Sequence, residues 1–174
     1  MMLLGLDNIR EAALFPSDTK RVASVKLQSK VYSGPEVGQQ ILKLLKDNGC
    51  EHQHLTHEPT PTSEDAARVR DIPLSIGIKA LILKNKKNGE NIRACVPADQ
   101  RLDIKALGDK LGTKFEFEKP EVIKEKYGLE IGGIPPWGNL LGLKAYYHKG
   151  IGNNEQAAFN NGAPTESVIM KSAD

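Results

Sequence analysis

The chain has 174 residues, of which 39% are hydrophobic and 26% charged, and its 24 lysines and arginines against 22 acidic residues leave a net charge of +2. This composition predicts one globular domain and excludes a disordered chain and a broadly cationic surface, so any contact with nucleic acid must be local. Cys50 and Cys95 lie far apart, without a signal peptide or an apolar run near the ~20 residues of a membrane span. We expect free thiols, a cytoplasmic location and no membrane partner.

The first thirty residues differ in character from the rest of the chain. They begin with a short apolar stretch, break at Phe15 and Pro16, and continue as a basic, polar segment. This pattern is typical of a tail followed by a linker. We therefore predict a tail and linker at residues 1–30 and a single globular domain at residues 31–174.

A helix is predicted to follow Pro35, where four apolar positions recur at helical spacing: Val37, Ile41, Leu44 and Leu45. Gly49 stands where a left-handed C-terminal cap is needed. Residues 50–57 alternate in character, which indicates a short strand. The sequence therefore predicts a helix and a strand before the proline-rich segment that follows.

A second helix and a central hairpin are predicted next. Thr62 or Ser63 can cap a short helix over residues 63–70, because carboxylates in its first turn suit the positive end of the helix dipole. Residues 78–83 and 92–96 are apolar runs of strand length. The Asn-Gly pair between them permits a tight reversal, so these two runs are predicted to form an antiparallel hairpin.

The remainder of the chain predicts two more helices and further strands. Asp103 can cap a helix that turns three apolar residues inward, namely Ile104, Leu107 and Leu111. Pro120 supplies the fixed φ of a first turn and opens another helix through Tyr127. Apolar stretches separated by glycine and asparagine turns should complete a mixed or antiparallel sheet; they lie at 140–147, 156–159 and 165–170. The predicted fold class is α+β.

Two features could carry chemistry. Lys79 is the one cation inside an otherwise apolar strand, where an ammonium needs an anionic or carbonyl partner, although strand lysines commonly face solvent. A glycine- and proline-rich loop could present rigid amide donors to a tetrahedral intermediate, or could be a structural turn. Its residues are Gly132, Gly133, Ile134, Pro135, Pro136, Trp137 and Gly138.

The spacing of the cysteine, histidine and serine residues indicates neither a metal site nor a protein nucleophile. Four residues of types that can bind metals lie within the predicted strand over residues 50–57: Cys50, His52, His54 and His57. No second Cys/His cluster accompanies it, so a solvated polar strand is the favoured interpretation over zinc. No Ser or Cys has the spacing of a nucleophilic triad, which favours attack by water.

Five motifs, taken in order, resemble the YbaK/ProX aminoacyl-tRNA deacylase family, which is related to the editing insertion of bacterial prolyl-tRNA synthetase. They are Thr56-His57-Glu58-Pro59, Thr62-Ser63-Glu64-Asp65-Ala66-Ala67, Ile78-Lys79-Ala80-Leu81, Gly132-Gly133-Ile134-Pro135-Pro136-Trp137-Gly138 and Phe159-Asn160-Asn161-Gly162. The resemblance extends from about residue 35 to residue 174. It implies an α+β fold with a mixed, curved sheet surrounded by helices.

The resemblance also implies a reaction and its site. The reaction is hydrolysis of the ester between a noncognate amino acid and the terminal ribose of tRNA, without metal or cofactor. Lys79 matches the family lysine that anchors the acceptor end of the substrate, and the loop over residues 132–138 matches the one that shapes the amino-acid pocket. The substrate-binding set that it implies also includes His57, Thr62, Asn160 and Gly162.

A second resemblance covers only the start of the chain. Residues 3–12 and 14–16 resemble the extreme C-terminal tail of archaeal and eukaryotic-type aspartyl- and asparaginyl-tRNA synthetases. The arginine-bearing ATP-binding motif that precedes this tail in a synthetase is absent. The alternative function is therefore a noncatalytic tRNA-binding or docking module whose partner is such a synthetase body.

Overall fold

The structure is a computed structural model that describes residues 2–3, 9–11, 32–137 and 139–174. The predicted linker, and the predicted boundary between residues 30 and 31, lie outside the described residues. Four helices are described: α1 (Pro35–Asp47), α2 (Ser63–Arg70), α3 (Ile104–Leu111) and α4 (Pro120–Tyr127). The described strands are β1 (Met2–Leu3), β2 (Ile9–Glu11), β3 (His52–Thr56), β4 (Ile78–Asn85), β5 (Asn91–Pro97), β6 (Gln100–Arg101), β7 (Phe115–Phe117), β8 (Lys144–His148), β9 (Gln156–Asn160) and β10 (Glu166–Lys171).

The strands form a larger mixed sheet, a smaller antiparallel sheet and one short parallel pair. The order in the larger sheet is β2-β8-β5-β4-β7, and the order in the smaller sheet is β3-β10-β9. The β4–β5 hairpin is antiparallel, β5 and β8 are parallel, and β1 pairs with β6. The α+β class and the central hairpin are therefore confirmed.

The apolar stretches of the last third divide between the two main sheets rather than completing one. A short turn joins β9 to β10, so these strands pair directly. In contrast, β8 runs parallel to β5, which requires a crossover connection, and the intervening chain supplies it with α3, β7 and α4. Residues 139–141, at the start of the first stretch, form a 3₁₀ turn before β8.

The helix ends follow the predicted chemistry. In α1, all four predicted apolar positions are buried, and Gly49 after its end has a left-handed φ of +66°. The Thr62 hydroxyl accepts a hydrogen bond from the Asp65 amide at 3.1 Å, which caps α2. The Asp103 carboxylate accepts one from the Ala106 amide at 2.9 Å, which caps α3. Local capping therefore explains where these helices begin.

Two hydrophobic clusters lie against the larger sheet. One joins α1 and the smaller sheet through residues that include Val37, Ile41, Ile82, Phe159 and Val168. The other packs α3 against the sheet and includes Leu83, Ala94, Val96, Leu107 and Phe115. Ile82 and Leu83 are neighbours in β4 yet belong to different clusters, because successive strand residues point to opposite faces. The central strand β4 thus separates two cores.

The first half of β4 lacks the outer neighbour that its second half has. Pairing with β7 covers only Leu83 to Asn85, and a hydrogen bond of 3.0 Å from the Glu118 amide to the Ile82 carbonyl marks its end. Among the described residues, no strand pairs with residues 78–81 on that edge. The fold therefore leaves an opening beside the strand that contains Lys79.

Neither Cys50 nor Cys95 forms a disulfide within the described residues, and both side chains are buried. Within the described part of the chain, no helix has both the length and the apolar character to cross a bilayer.

Candidate active site

A cavity of about 160 Å³ opens beside the first half of β4. Its walls come from residues 60–63 and the helix α2 that follows, from residues 77–81, and from the loop after α4. Five of the residues expected to bind substrate line it: Thr62, Lys79, Gly132, Ile134 and Asn160. Residues that are distant in the sequence thus meet at one concave site, which is the usual shape of a small-ligand pocket.

Lys79 lies half-buried in the wall of this cavity. Its Nζ donates a hydrogen bond to the Gln100 carbonyl oxygen at 2.7 Å. Burial lowers the pKa of the Lys79 ammonium, while the nearby Glu64 carboxylate acts in the opposite direction. The carbonyl and carboxylate provide the kind of partner that a strand lysine needs when it is withdrawn from water.

Arg70 is a second cation in the cavity wall, and the sequence interpretation did not select it. It is the last residue of α2, and only 7% of it is exposed. Nε donates to Ser167 Oγ at 2.8 Å and Nη2 donates to Asn160 Oδ1 at 2.8 Å. These two bonds fix the plane of the guanidinium group.

His57 lies behind Arg70 rather than in the cavity lining. Its Nδ1 is 2.7 Å from the Glu58 carbonyl oxygen, and its Nε2 is 2.7 Å from Ser167 Oγ. Because a carbonyl oxygen only accepts, Nδ1 carries the hydrogen, and Nε2 accepts the Ser167 hydroxyl hydrogen. Ser167 Oγ is then free to accept from Arg70 Nε. His57 therefore supports the orientation of Arg70 through Ser167.

Asn160 and Thr62 reach the cavity while also holding its walls together. The Asn160 side chain accepts from Arg70 and donates through Nδ2 to Thr60 Oγ1 at 3.2 Å. Thr60 is 2% exposed and donates in turn to the Pro164 carbonyl at 3.1 Å. Thr62 donates to the Asp65 carboxylate at 2.6 Å in addition to capping α2. Both cavity residues thus have structural partners.

The first residues of the predicted loop form part of the cavity wall. Gly132 has a φ of +85°, and a Cβ there would lie 3.1 Å from the Thr60 carbonyl oxygen. Ile134 lines the cavity and also joins the core cluster around α1. Gly133 packs against the turn between β9 and β10, where a Cβ would lie 2.9 Å from Ala163 Cα. The glycines therefore allow backbone to approach backbone.

The rest of the loop faces the core. Pro135 and Pro136 are buried, and the Pro136 carbonyl accepts hydrogen bonds from the Tyr147 hydroxyl and, at 3.9 Å, from Cys95 Sγ. The rings of Trp137 and Phe159 meet edge to face at 4.9 Å between centroids. These three loop residues do not line the cavity, and Gly138 lies outside the described residues.

Gly162 lies on the far side of the same wall, against α1. It has a φ of +86°, and a Cβ there would lie 3.1 Å from the Gly38 amide nitrogen. Asn161 Nδ2 donates to the Gly38 carbonyl oxygen at 3.1 Å. The turn after β9 thus anchors α1, and Gly162 is not a cavity residue.

Among the described residues, no serine or cysteine is an accessible nucleophile with an activating base, and the Thr62 hydroxyl, which contacts the Asp65 carboxylate, is held as the cap of α2. Burial raises the pKa of the Cys95 thiol to about 12, which keeps it protonated at neutral pH. Ser167 contacts a histidine, but it is fully buried and its oxygen accepts from Arg70. Ser63 lines the cavity as the first residue of α2, and no hydrogen bond to a base is described for it. This arrangement suits attack by water.

The residues considered as zinc ligands make contacts in different parts of the fold. His52 Nδ1 contacts the Cys50 carbonyl oxygen at 2.9 Å, and His54 contacts the Glu166 carboxylate. Cys50 itself is buried in the core cluster around α1. In the described part of the chain, no three His, Cys, Asp or Glu side chains are placed to hold one metal ion.

The sequence did not indicate a functional role for Arg70, because a basic residue in the last turn of a helix is commonly explained by its favourable interaction with the helix dipole. Arg68 and Arg70 look equivalent in the sequence, but one is exposed and the other buried. Thr60 was likewise part of a proline-rich stretch without a distinctive pattern. Long-range contacts with β9 and β10 distinguish these residues, and spacing alone does not reveal them.

Two solved structures share this fold. One, described as hypothetical protein APE2540, superimposes with a TM-score of 0.65 at 20% identity, covering 76% of this chain and 89% of the other. The other, described as a candidate trans-editing enzyme for prolyl tRNA synthetase, has a TM-score of 0.64 at 21% identity, covering 78% and 86%. The likeness at these identities defines the fold, which is that of the editing-domain structures.

Sequence relatives identify the family. The chain is 31% identical over 150 residues to the multifunctional Ser/Thr-tRNA deacylase ProXp-y of Escherichia coli K12, covering 84% of this chain and 90% of the relative. It is 25% identical over 103 residues to the prolyl-tRNA editing protein ProX of Acetoanaerobium sticklandii, covering 59% and 63%. The profile of the aminoacyl-tRNA editing domain matches residues 57–174. The chain belongs to this family, and by that homology it is an aminoacyl-tRNA deacylase.

Proposed function

We propose that this chain hydrolyses mischarged tRNA in the cavity between α2, the first half of β4 and the loop over residues 132–138. The observation that carries this proposal is the position of Lys79. It lies in the cavity wall, in the half of β4 that β7 leaves uncovered in the described fold. The family resemblance predicted this lysine and this loop from the sequence. Their convergence on one cavity supports the assignment.

The reaction divides between substrate binding and attack by water. Lys79 offers a positive charge to the acceptor end of tRNA, which is polyanionic. Water adds to the ester carbonyl, aided by a ribose hydroxyl of the substrate, and the bond from the carbonyl carbon to the ribose oxygen then breaks. The products are the free amino acid and a tRNA whose terminal ribose hydroxyl has regained its proton. No covalent enzyme intermediate is required.

The loop can contribute to this step through its backbone. Gly132 brings main-chain atoms to the cavity wall without a side chain. Rigid amide donors stabilise the charge of a tetrahedral intermediate without reorganising, at about 3 kcal/mol for each donor. In this proposal the loop shapes the amino-acid pocket and stabilises the intermediate.

We further propose serine and threonine as the amino acids removed. The E. coli relative that shares 31% identity is a Ser/Thr-tRNA deacylase by name, and the alignment spans most of both chains. Polar groups from Thr62 and Asn160 in the cavity wall can bind a side-chain hydroxyl.

A panel of mischarged tRNAs tests the proposal. Wild-type protein should hydrolyse seryl- and threonyl-tRNA at least about tenfold faster than tRNA charged with phenylalanine, since the phenylalanine side chain lacks the hydroxyl whose hydrogen bond to the cavity wall contributes about 1–3 kcal/mol. Release of radiolabelled amino acid measures the rate. Binding of tRNA without hydrolysis of any ester would contradict deacylation and favour the noncatalytic synthetase module.

A further inference from the structure

Arg70 differs from an ordinary buried arginine because no carboxylate among the described residues compensates its charge. Burial alone lowers its pKa to about 10, and no acidic group acts to raise it. Within the described residues its side-chain hydrogen bonds go only to the neutral Ser167 and Asn160. A buried charge without an opposite charge is costly, so retention of an arginine here requires a compensating interaction.

The neighbouring Arg68 shows what a structural arginine looks like on the same helix. Its Nη2 lies 2.8 Å from a Glu58 carboxylate oxygen and 3.6 Å from an Asp65 carboxylate oxygen, and 63% of its side chain is exposed. Arg68 is therefore neutralised at the surface. Arg70, two residues later, carries its charge to the cavity wall.

Part of the guanidinium group remains available on the cavity side. A guanidinium has five N–H groups, and the bonds to Ser167 and Asn160 use one on Nε and one on Nη2. Nη1 faces Gly77, also a cavity residue, where an added Cβ would lie 3.9 Å from it. The hydrogens on Nη1 and the second hydrogen on Nη2 can make the paired contact that guanidinium forms with phosphate.

The bonds behind Arg70 keep this pair of donors in place. The Ser167 hydroxyl donates to His57 and accepts from Arg70, so its direction is set from both sides. Asn160 is similarly fixed by its bond to Thr60. Ser167 and His57 are thus positioning residues for Arg70, which explains why His57 lies near the site without lining the cavity.

We propose that Arg70 binds the phosphate on the 5′ side of the tRNA nucleotide that carries the ester. This inference rests on the proposed deacylation, because it takes its ligand from that substrate. Near the scissile ester, the amino acid presents an ammonium group, which an arginine repels, and the phosphate is the nearest anion. Lys79 differs from Arg70 because, although burial and the Arg101 charge lower its pKa, the Glu64 and Asp99 carboxylates act in the opposite direction, and the Gln100 carbonyl accepts a hydrogen bond from its ammonium group.

Two pairs of small ligands test whether a 5′ phosphate contributes to binding and to hydrolysis. Binding of adenosine 5′-monophosphate is compared with that of adenosine by NMR titration, and hydrolysis of 3′-O-seryl-adenosine is compared with that of its 5′-phosphorylated form. In wild type, the phosphate should improve both binding and kcat/KM by about ten- to hundredfold, the effect of a charge-assisted hydrogen-bonded pair.

Variants then assign that improvement to a residue. Arg70→Ala should lose the phosphate effect, measured as the ratio of kcat/KM for the phosphorylated and unphosphorylated esters, even though loss of its bond to Asn160 also slows hydrolysis of both, and Arg68→Ala should keep the whole effect. Arg70→Lys retains the charge without the paired donors and should keep only part of the effect, which guards against a failure of Arg70→Ala to fold. Ser167→Ala should reduce the phosphate effect without abolishing hydrolysis of the unphosphorylated ester.

Several results would overturn the inference. A phosphate effect that persists in Arg70→Ala, or that Lys79→Ala alone removes, assigns the phosphate elsewhere. Equal binding of adenosine and its monophosphate by wild type also contradicts it. If the wild type prefers the monophosphate through Arg70 but hydrolyses no ester, the phosphate site stands and the proposed deacylation is wrong, so the two failures are distinguishable.

Discussion

At the scale of single residues, one set of side chains holds the loop over residues 132–138 and another reaches the cavity. Cys95 and Tyr147 both donate to the Pro136 carbonyl from the core side. Lys79 and Arg70 extend into the cavity wall. The loop is therefore held by neutral donors, while the cationic groups remain available to an anionic substrate.

The Cys95 thiol provides a prediction about pH. Burial raises its pKa from 9.0 to about 12, so above pH 9 the unfolded chain loses a proton that the native protein keeps. The free energy of unfolding should then fall as the pH rises from about 9 towards 12, because the thiolate favours the unfolded state. Urea unfolding at a series of pH values measures this slope.

The Cys95→Ala variant is the control for that slope, since it retains every other titrating group. Its unfolding free energy should decline less steeply over the same pH range than that of wild type. Identical slopes for the two proteins would show that the Cys95 thiol is not protected in the native state.

At the scale of elements, two helix caps allow structural and functional roles to be separated. Thr62 caps α2 at the cavity, and Asp103 caps α3 on the other side of the larger sheet. Each side-chain oxygen accepts one hydrogen bond from a backbone amide of the first turn. Only Thr62 belongs to the proposed substrate-binding set.

Replacing either cap with alanine should lower the free energy of unfolding by about 1 kcal/mol, because an amide at the helix start loses its acceptor. Thr62→Ala should in addition raise KM for seryl-tRNA by about threefold to tenfold, whereas Asp103→Ala should leave it unchanged. Thermal unfolding and steady-state hydrolysis measure the two effects. An equal change in KM for both variants would mean that Thr62 acts only through stability.

The same elements show how far the sequence predicts the fold. Periodicity, capping residues and Pro120 predicted the four described α-helices, and two apolar runs around an Asn-Gly pair predicted the β4–β5 hairpin, because those signals act within a few residues of the chain. The assignment of β8 to one sheet and of β9 and β10 to another depends on a parallel pairing between β5 and β8 across the intervening helices. Alternation in a strand carries no information about such a distant partner.

The candidate site was predicted less completely than the fold. Lys79 and Gly132 were selected for their local chemistry, and both line the cavity. Arg70 was missed because its burial depends on Ser167 and Asn160, which are about ninety residues away or more. Trp137 was expected in the substrate-binding set, but its ring packs on Phe159, a contact that only the folded chain defines.

At the scale of the whole molecule, the fold explains how a nearly neutral protein can act on a polyanion. The net charge is only +2, so attraction to tRNA cannot come from an overall excess of positive charge. Instead, two cations are withdrawn into one cavity, where water screens their charges less than at the surface. Catalysis in this account depends on that local concentration of charge.

The central claim is that this cavity hydrolyses mischarged tRNA with the help of Lys79. Its most direct test is the single-turnover rate of seryl-tRNA hydrolysis by wild type, Lys79→Ala and the control Lys105→Ala, which removes an exposed lysine from α3. We expect Lys79→Ala to lower the rate by about ten- to hundredfold, since it removes a charged contact with the substrate, and Lys105→Ala to match wild type. A Lys79→Ala rate equal to that of wild type would contradict the account.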